Sequence, residues 1–171
     1  LTSAESLSVL EKSAVNLPQS AATKLLLGEA LLQSGMPQRS VASCTAALEL
    51  APDLVRARYI RALAHWRLQQ LALAEDDLSA ALESTTDAFP HTSDKVRLLR
   101  ARGALRMLRS NEPGMCDDLA AACALGDCDG LAAARGQQMC LTSSRQEGAP
   151  TAADAVTPQP PAMAGDTTAK P

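Results

Sequence analysis

The stretch Pro18–Pro52, PQSAATKLLLGEALLQSGMPQRSVASCTAALELAP, decides the fold. Its apolar positions, among them Leu25, Leu26, Ala30 and Leu31, recur at helical spacing. Breaks fall at Pro18-Gln19-Ser20, at Gln33-Ser34-Gly35-Met36-Pro37 and at Ala51-Pro52-Asp53. A run entered after Pro and Ser or Asp and stopped at Gly predicts helices of roughly 13 to 15 residues. The stretch therefore predicts a two-helix hairpin.

The hairpin repeats. Pro18 and Pro52 are 34 residues apart, as are Gly28 and Ala62, Ala47 and Ala81, and Leu48 and Leu82. Leu10, Cys44 and Leu78 form a three-step ladder at that spacing. A third copy follows a seven-residue insertion around Thr85–His91: Gly103 lies 41 after Ala62, and Leu119 and Ala122 keep the usual offsets. Lengthening a loop between repeats costs little. Upstream, Leu7, Leu10, Ala14 and Leu17 carry the same helical pattern.

Composition agrees. Of 171 residues 46% are apolar, mostly Ala and Leu, and the three aromatics are Tyr59, Trp66 and Phe89. Strong helix formers without a β-branched run predict an all-α protein. A formal charge of -3 argues against a general nucleic-acid binder, and no apolar stretch nears the 18 residues of a membrane span. The start at Leu1-Thr2-Ser3 is what a removed signal peptide, or trimming upstream, would leave. From Leu141 to Pro171 the chain is Ala, Pro, Thr, Ser and Gly without an apolar face, which predicts a disordered tail. Its Pro158-Gln159-Pro160-Pro161 lacks the flanks of a docking motif.

A 34-residue helix-turn-helix unit with a small residue in the first helix, Ala-x3-apolar-x2-Ala in the second and a closing Pro resembles the tetratricopeptide repeat. The matching residues are Leu27-Gly28, Leu31, Cys44, Ala47 and Pro52, then Ala62, Ala74, Leu78 and Ala81, then Arg102-Gly103, Leu119 and Ala122. Lys24 and Arg58 replace the family's Trp, Leu31, His65 and Arg106 its Tyr, and Asp127 its last Pro. The resemblance implies an all-α, right-handed superhelical solenoid over residues 1–140, with a half-repeat at 5–18, repeats at about 21–54, 55–88 and 96–127, and a cap at 128–140. Gly126 would stop the last repeat's second helix, and Leu131–Met139 would form the capping helix.

The resemblance also implies a concave groove lined by first helices. Its inward positions would be Leu25, Glu29 and Leu32, then Arg56, Tyr59, Leu63 and Trp66, then Arg97, Arg100, Ala104 and Met107. Arg56, Tyr59, Leu63 and Trp66 follow one another at steps of three and four, on one stripe. Arginine beside aromatics is the chemistry of binding hot spots, although the two rings would equally fill a core between repeats. Leu25 and Glu29 replace the first Lys and Asn of the family's carboxylate clamp, which disfavours chaperone-tail binding. An acidic group on a mostly apolar peptide would still suit Arg56, Arg97 and Arg100. Arg102, Arg106 and Arg109 fall on another face, solvated or paired with acids such as Asp117 and Asp118.

Cys116, Cys123, Cys128 and Cys140 fit no zinc spacing. If the helix at about 115–125 packs antiparallel against the capping helix, Cys116 lies level with Cys140 and Cys123 with Cys128. A straight helix would hold Cys128 and Cys140 roughly 18 Å apart, too far to bond. Two rungs, Cys116–Cys140 and Cys123–Cys128, would staple the cap, leaving Cys44 buried as a small hydrophobe. That arrangement favours an oxidising compartment such as the bacterial periplasm; four reduced cysteines would instead fit a cytosolic protein. His65 and His91 lie in different elements, and the adjacent acids Asp76-Asp77 and Asp117-Asp118 form no dyad. No catalytic residue, metal ligand or cofactor site is expected. The leading reading is a protein- or peptide-binding scaffold, with cell-envelope assembly as its setting. A cytosolic secretion-system chaperone is the alternative, and an enzyme or metal protein using the C-terminal cysteines is a third.

Overall fold

A computed structural model describes residues 3–84 and 92–141. The described residues form eight helices: α1 (Ser3–Asn16), α2 (Ala21–Gln33), α3 (Pro37–Leu50), α4 (Val55–Arg67), α5 (Leu71–Glu83), α6 (Thr92–Leu108), α7 (Glu112–Ala124) and α8 (Asp129–Gly136). Each packs on its neighbour in the chain, and α2 also lies directly against α4. The expected insertion at Thr85–His91 and the expected tail beyond Leu141 lie outside the described residues.

The helix ends follow from local chemistry. Ser20 caps α2 by accepting from the Thr23 amide at 3.2 Å, and Asn111 caps α7 by accepting from the Gly114 amide at 3.1 Å. Pro37 and Pro113 sit in first turns, where a missing N–H costs nothing. The turn inside each hairpin is the same object three times. Gly35, Gln69 and Ser110 take left-handed φ of +76°, +61° and +58°. The next amide in each case (Met36, Gln70, Asn111) donates back to Leu31, His65 and Arg106 at 2.9, 2.9 and 2.8 Å. Only the first of these residues is glycine, so the other two adopt the conformation at a cost of roughly 1–2 kcal/mol each.

Between hairpins the core is continuous. Leu25, Leu32, Cys44, Ala47, Leu48, Ala57, Ile60 and Ala64 make one cluster across α2, α3 and α4. Ala62, Ala74, Leu78, Ala81, Leu98 and Leu105 make the next across α4, α5 and α6, and Tyr59 packs against both. Met115, Leu131, Ala134 and Cys140 close the end under α8. A hairpin that cannot bury its own apolar face is covered by the following one.

The small residues do unequal work. A Cβ at Gly28 would stand 2.5 Å from Sγ of Cys44, which is fully buried, whereas a Cβ at Gly103 would meet Asp118 Cβ at an ordinary 3.5 Å. Gly28→Ala should therefore destabilise, because overpacking of about 1–3 kcal/mol outweighs a helix-propensity gain of about 1 kcal/mol. Gly103→Ala should keep that gain. Urea denaturation of both variants checks the contrast, and equal shifts in the same direction would contradict it.

The cap differs from expectation. Its helix ends at Gly136 and not at Met139, because Gln138 and Cys140 take left-handed φ of +62° and +55°. The turn carries Cys140 back to α7. Sγ of Cys140 bonds Sγ of Cys116 with 5.3 Å between Cα atoms, and Cys123 bonds Cys128 with 4.0 Å between Cα atoms. Cys44 remains a free, buried thiol, its pKa pushed up to about 11 by burial, so it stays protonated.

Candidate functional site

The first helices do not stand evenly. α2 and α4 pack directly, but α4 and α6 stand apart and leave a cleft of about 420 Å³. From α4 come Tyr59, Leu63 and Trp66, on one stripe at steps of four and three. From α6 come Ser93, Val96, Arg97, Arg100, Ala101 and Ala104, again one stripe. A second cleft of about 430 Å³ adjoins it, lined by Leu32, Leu63, Trp66, Arg67 and Gln69. Leu63 and Trp66 belong to both, so they form the wall between two apolar hollows.

Cations rim these hollows. The Arg97 guanidinium lies 5.9 Å from the centroid of the Tyr59 ring and donates to Asp94 at 3.1 Å. Arg100 donates to Asp127 at 3.1 Å, and its side chain keeps 60% exposure. Arg67 donates to the Leu32 carbonyl at 2.6 Å. The lining of the two clefts thus includes three arginines and no carboxylate. The pairing acids lie just outside: Asp94 in an exposed pair that rearranges at little cost, and Asp127 on a partly buried turn.

The expected groove positions divide. Tyr59, Leu63, Trp66, Arg97, Arg100 and Ala104 meet at the cleft between α4 and α6, and Leu32 lines the adjoining one although it is buried. Leu25 does not face a groove: close packing of α2 on α4 places it in the core. Glu29 accepts from Nη2 of Arg56 at 2.9 and 2.7 Å through its two oxygens, a pair outside both clefts, and Met107 is exposed beyond them. Sequence spacing missed Arg67 and Gln69, at and just past the end of α4, and Ser93, Val96 and Ala101, which the offset of α6 brings in.

A polar ladder runs on the opposite side of these helices; pairing of Arg102 and Arg106 with Asp118 was expected, whereas the matching pair of Arg61 with Asp77 was missed. Arg61 forks onto buried Asp77 at 2.8 and 2.6 Å and donates to Thr45 at 3.1 Å. Arg102 repeats this with Asp118, through Nε at 3.0 Å and Nη2 at 2.6 Å, and with Ser79 at 3.2 Å. Each arginine so ties its own hairpin to the preceding one. The hydrogen bond to Asp77 pushes the Arg61 pKa further up. Arg106 adds bonds to Asp118 at 3.0 Å and Glu75 at 2.8 Å, and Arg109 also donates to Glu75. The signal lay in the sequence, since Arg61 and Arg102, and Asp77 and Asp118, are 41 apart. Among the described residues, no group of three or more His, Cys, Asp or Glu gathers as a metal ion requires. No described helix is long and apolar enough to cross a membrane.

No model of a protein family matches the sequence, and no curated protein matches it. Solved structures do match. A crystal structure of MamA, a protein of tetratricopeptide repeats, superposes with a TM-score of 0.62 at 17% identity, over 70% of this chain and 66% of that one. A second MamA structure gives 0.61 at 17% identity, over 70% and 62%. The chain has the tetratricopeptide-repeat fold. This solenoid spans just under two thirds of the length of either MamA chain. Stacked helix pairs of this kind curve into a solenoid with an extended concave surface.

Proposed function

We propose that this chain is a non-catalytic scaffold that binds an acidic, partly apolar segment of another protein in the cleft between α4 and α6. One observation carries the reading: two adjoining apolar hollows are rimmed by Arg67, Arg97 and Arg100, with no carboxylate in their lining. Trp66 and Tyr59 supply rigid area, and the guanidinium groups supply bidentate recognition of carboxylate. The binding unit in this reading is the array of repeats at 21–54, 55–88 and 96–127 with the cap at 128–140.

Capture of the partner on the full chain tests it. Trp66→Ala and Arg100→Glu should each weaken binding at least tenfold, as loss of a hot-spot residue does, with helix content unchanged. Retained binding in both variants would refute the proposal. The two disulfides further suggest an exported protein working in an oxidising compartment such as the periplasm, where envelope assembly offers partners. Protein purified without reductant and then unfolded in urea should titrate one free thiol, Cys44. Five thiols would favour the cytosolic secretion-chaperone reading.

A further inference from the structure

The two disulfides differ in what they guard. Cys140 is 7% exposed and sits in a cluster with Met115, Leu131 and Ala134, so the Cys116–Cys140 bond is shielded. Cys128 is exposed at the start of α8, and its bond to Cys123 closes the short turn between α7 and α8. Asp127, the acid that pairs with Arg100 on the cleft rim, lies inside that turn. It is the more buried member of the pair, 20% exposed against 60% for Arg100. Besides the disulfide, the turn is held by the Gly126 amide on Cys123 O at 2.9 Å and the Asp127 amide on Ala122 O at 3.1 Å. Both bonds flank an exposed glycine at φ +98°.

We propose that the Cys123–Cys128 disulfide is a redox latch on the cleft: closed, it holds Asp127 against Arg100, and opened, it releases Arg100 to an incoming acidic segment. This rests on the cleft reading above and adds its regulation. The reductant is a dithiol. Its thiolate attacks the exposed Cys128 sulfur, the S–S bond breaks, and Cys123 leaves as a thiolate that takes up a proton. The second thiol of the reductant then displaces Cys128, which is protonated in turn. Two electrons and two protons pass to the protein, and the reductant ends as its own disulfide. Cys116–Cys140 stays closed and keeps α8 docked, so the solenoid is intact while the turn loosens. Asp127 competes with the partner's carboxylate for one guanidinium, so opening the latch favours binding.

The full chain tests this without any partner, because Trp66 is its only tryptophan and lines the cleft beside Arg100. Graded dithiothreitol with differential alkylation should label Cys123 and Cys128 before Cys116 and Cys140. In that state iodide should quench Trp66 about 1.5-fold more steeply, the enrichment that one newly unpaired cation gives an anion a few ångströms away in salt water. Caesium should quench less, acrylamide unchanged. Asp127→Asn should reproduce the rise without reductant and respond no further to it. Simultaneous opening of both disulfides, an unchanged iodide slope, or a reductant response that persists in Asp127→Asn would overturn the latch. Loss of helix content on opening would overturn it too. None of these outcomes bears on Trp66-dependent partner capture, which judges the cleft reading separately.

Discussion

Asp118→Ala is expected to destabilise the protein by about 3–5 kcal/mol, the loss typical when a buried ion pair keeps only one side. Asp118 is 2% exposed and accepts from Arg102 and Arg106, whose side chains are themselves only 17% and 18% exposed. Removing the carboxylate leaves two largely buried guanidinium groups. Arg102 retains the Ser79 hydroxyl, and Arg106 retains Glu75 and the Gly114 carbonyl. None of these replaces the lost charge for Arg102. Asp77→Ala at the equivalent position should cost less, because a single arginine, Arg61, depends on that acid and is 21% exposed. Urea denaturation measures both, and a loss below about 1 kcal/mol for Asp118→Ala, the scale of an exposed pair, would show the ladder to be ornamental.

The same network sets an acid limit. Burial alone would raise the Glu75 pKa, but hydrogen bonds from Arg106 and Arg109 outweigh it and hold the carboxyl below its ordinary value. A carboxylate depressed in the folded state contributes stability at pH above its unfolded pKa. That contribution is lost as pH falls through the folded pKa. Stability should therefore decline on acidification below the ordinary carboxylate range, and less steeply in Glu75→Gln.

The second large effect belongs to the shielded disulfide. Replacing Cys116 and Cys140 together with serine should cost about 3 kcal/mol, the chain-entropy value for closing a loop of this length. In this mid-sized chain that lowers the melting temperature by about 10 °C. The two cysteines are 24 residues apart, and Cys140 lies beyond α8 on a left-handed turn. Without the bond, Leu131 and Ala134 lose their fastening to Met115. Replacing Cys123 and Cys128, only 5 residues apart, should cost less. A larger loss from the short loop would contradict this ordering.

Much of the fold was legible because its determinants are spaced along the chain. Gly28, Ala47 and Cys44 and their counterparts recur where helices touch, so one period predicted three hairpins. The turn at Gly35 was readable from its glycine, whereas Gln69 and Ser110 hide the same conformation in ordinary side chains. Arg61 was unreadable for a related reason: charge suggests surface, and only contact with Asp77 permits burial, whereas pairing of Arg102 with Asp118 was among the expectations. The cleft was half legible. Periodicity put Tyr59, Leu63, Trp66, Arg97 and Arg100 on inward stripes, but it cannot tell which first helices close up. Because α2 closes on α4, Leu25 became core. Because α6 stands off, Val96 and Ala101 became lining.

In the proposed function, the hollow on either side of Trp66 takes an acidic, partly apolar segment. A peptide-display selection against the full chain, counter-selected on Trp66→Ala, tests it most directly. Recovered sequences should pair Asp or Glu with apolar side chains and bind the parent chain at least tenfold more tightly than Trp66→Ala or Arg100→Glu, the scale of a hot-spot loss. Recovery of basic sequences, of sequences that bind Trp66→Ala equally well, or of none would contradict it.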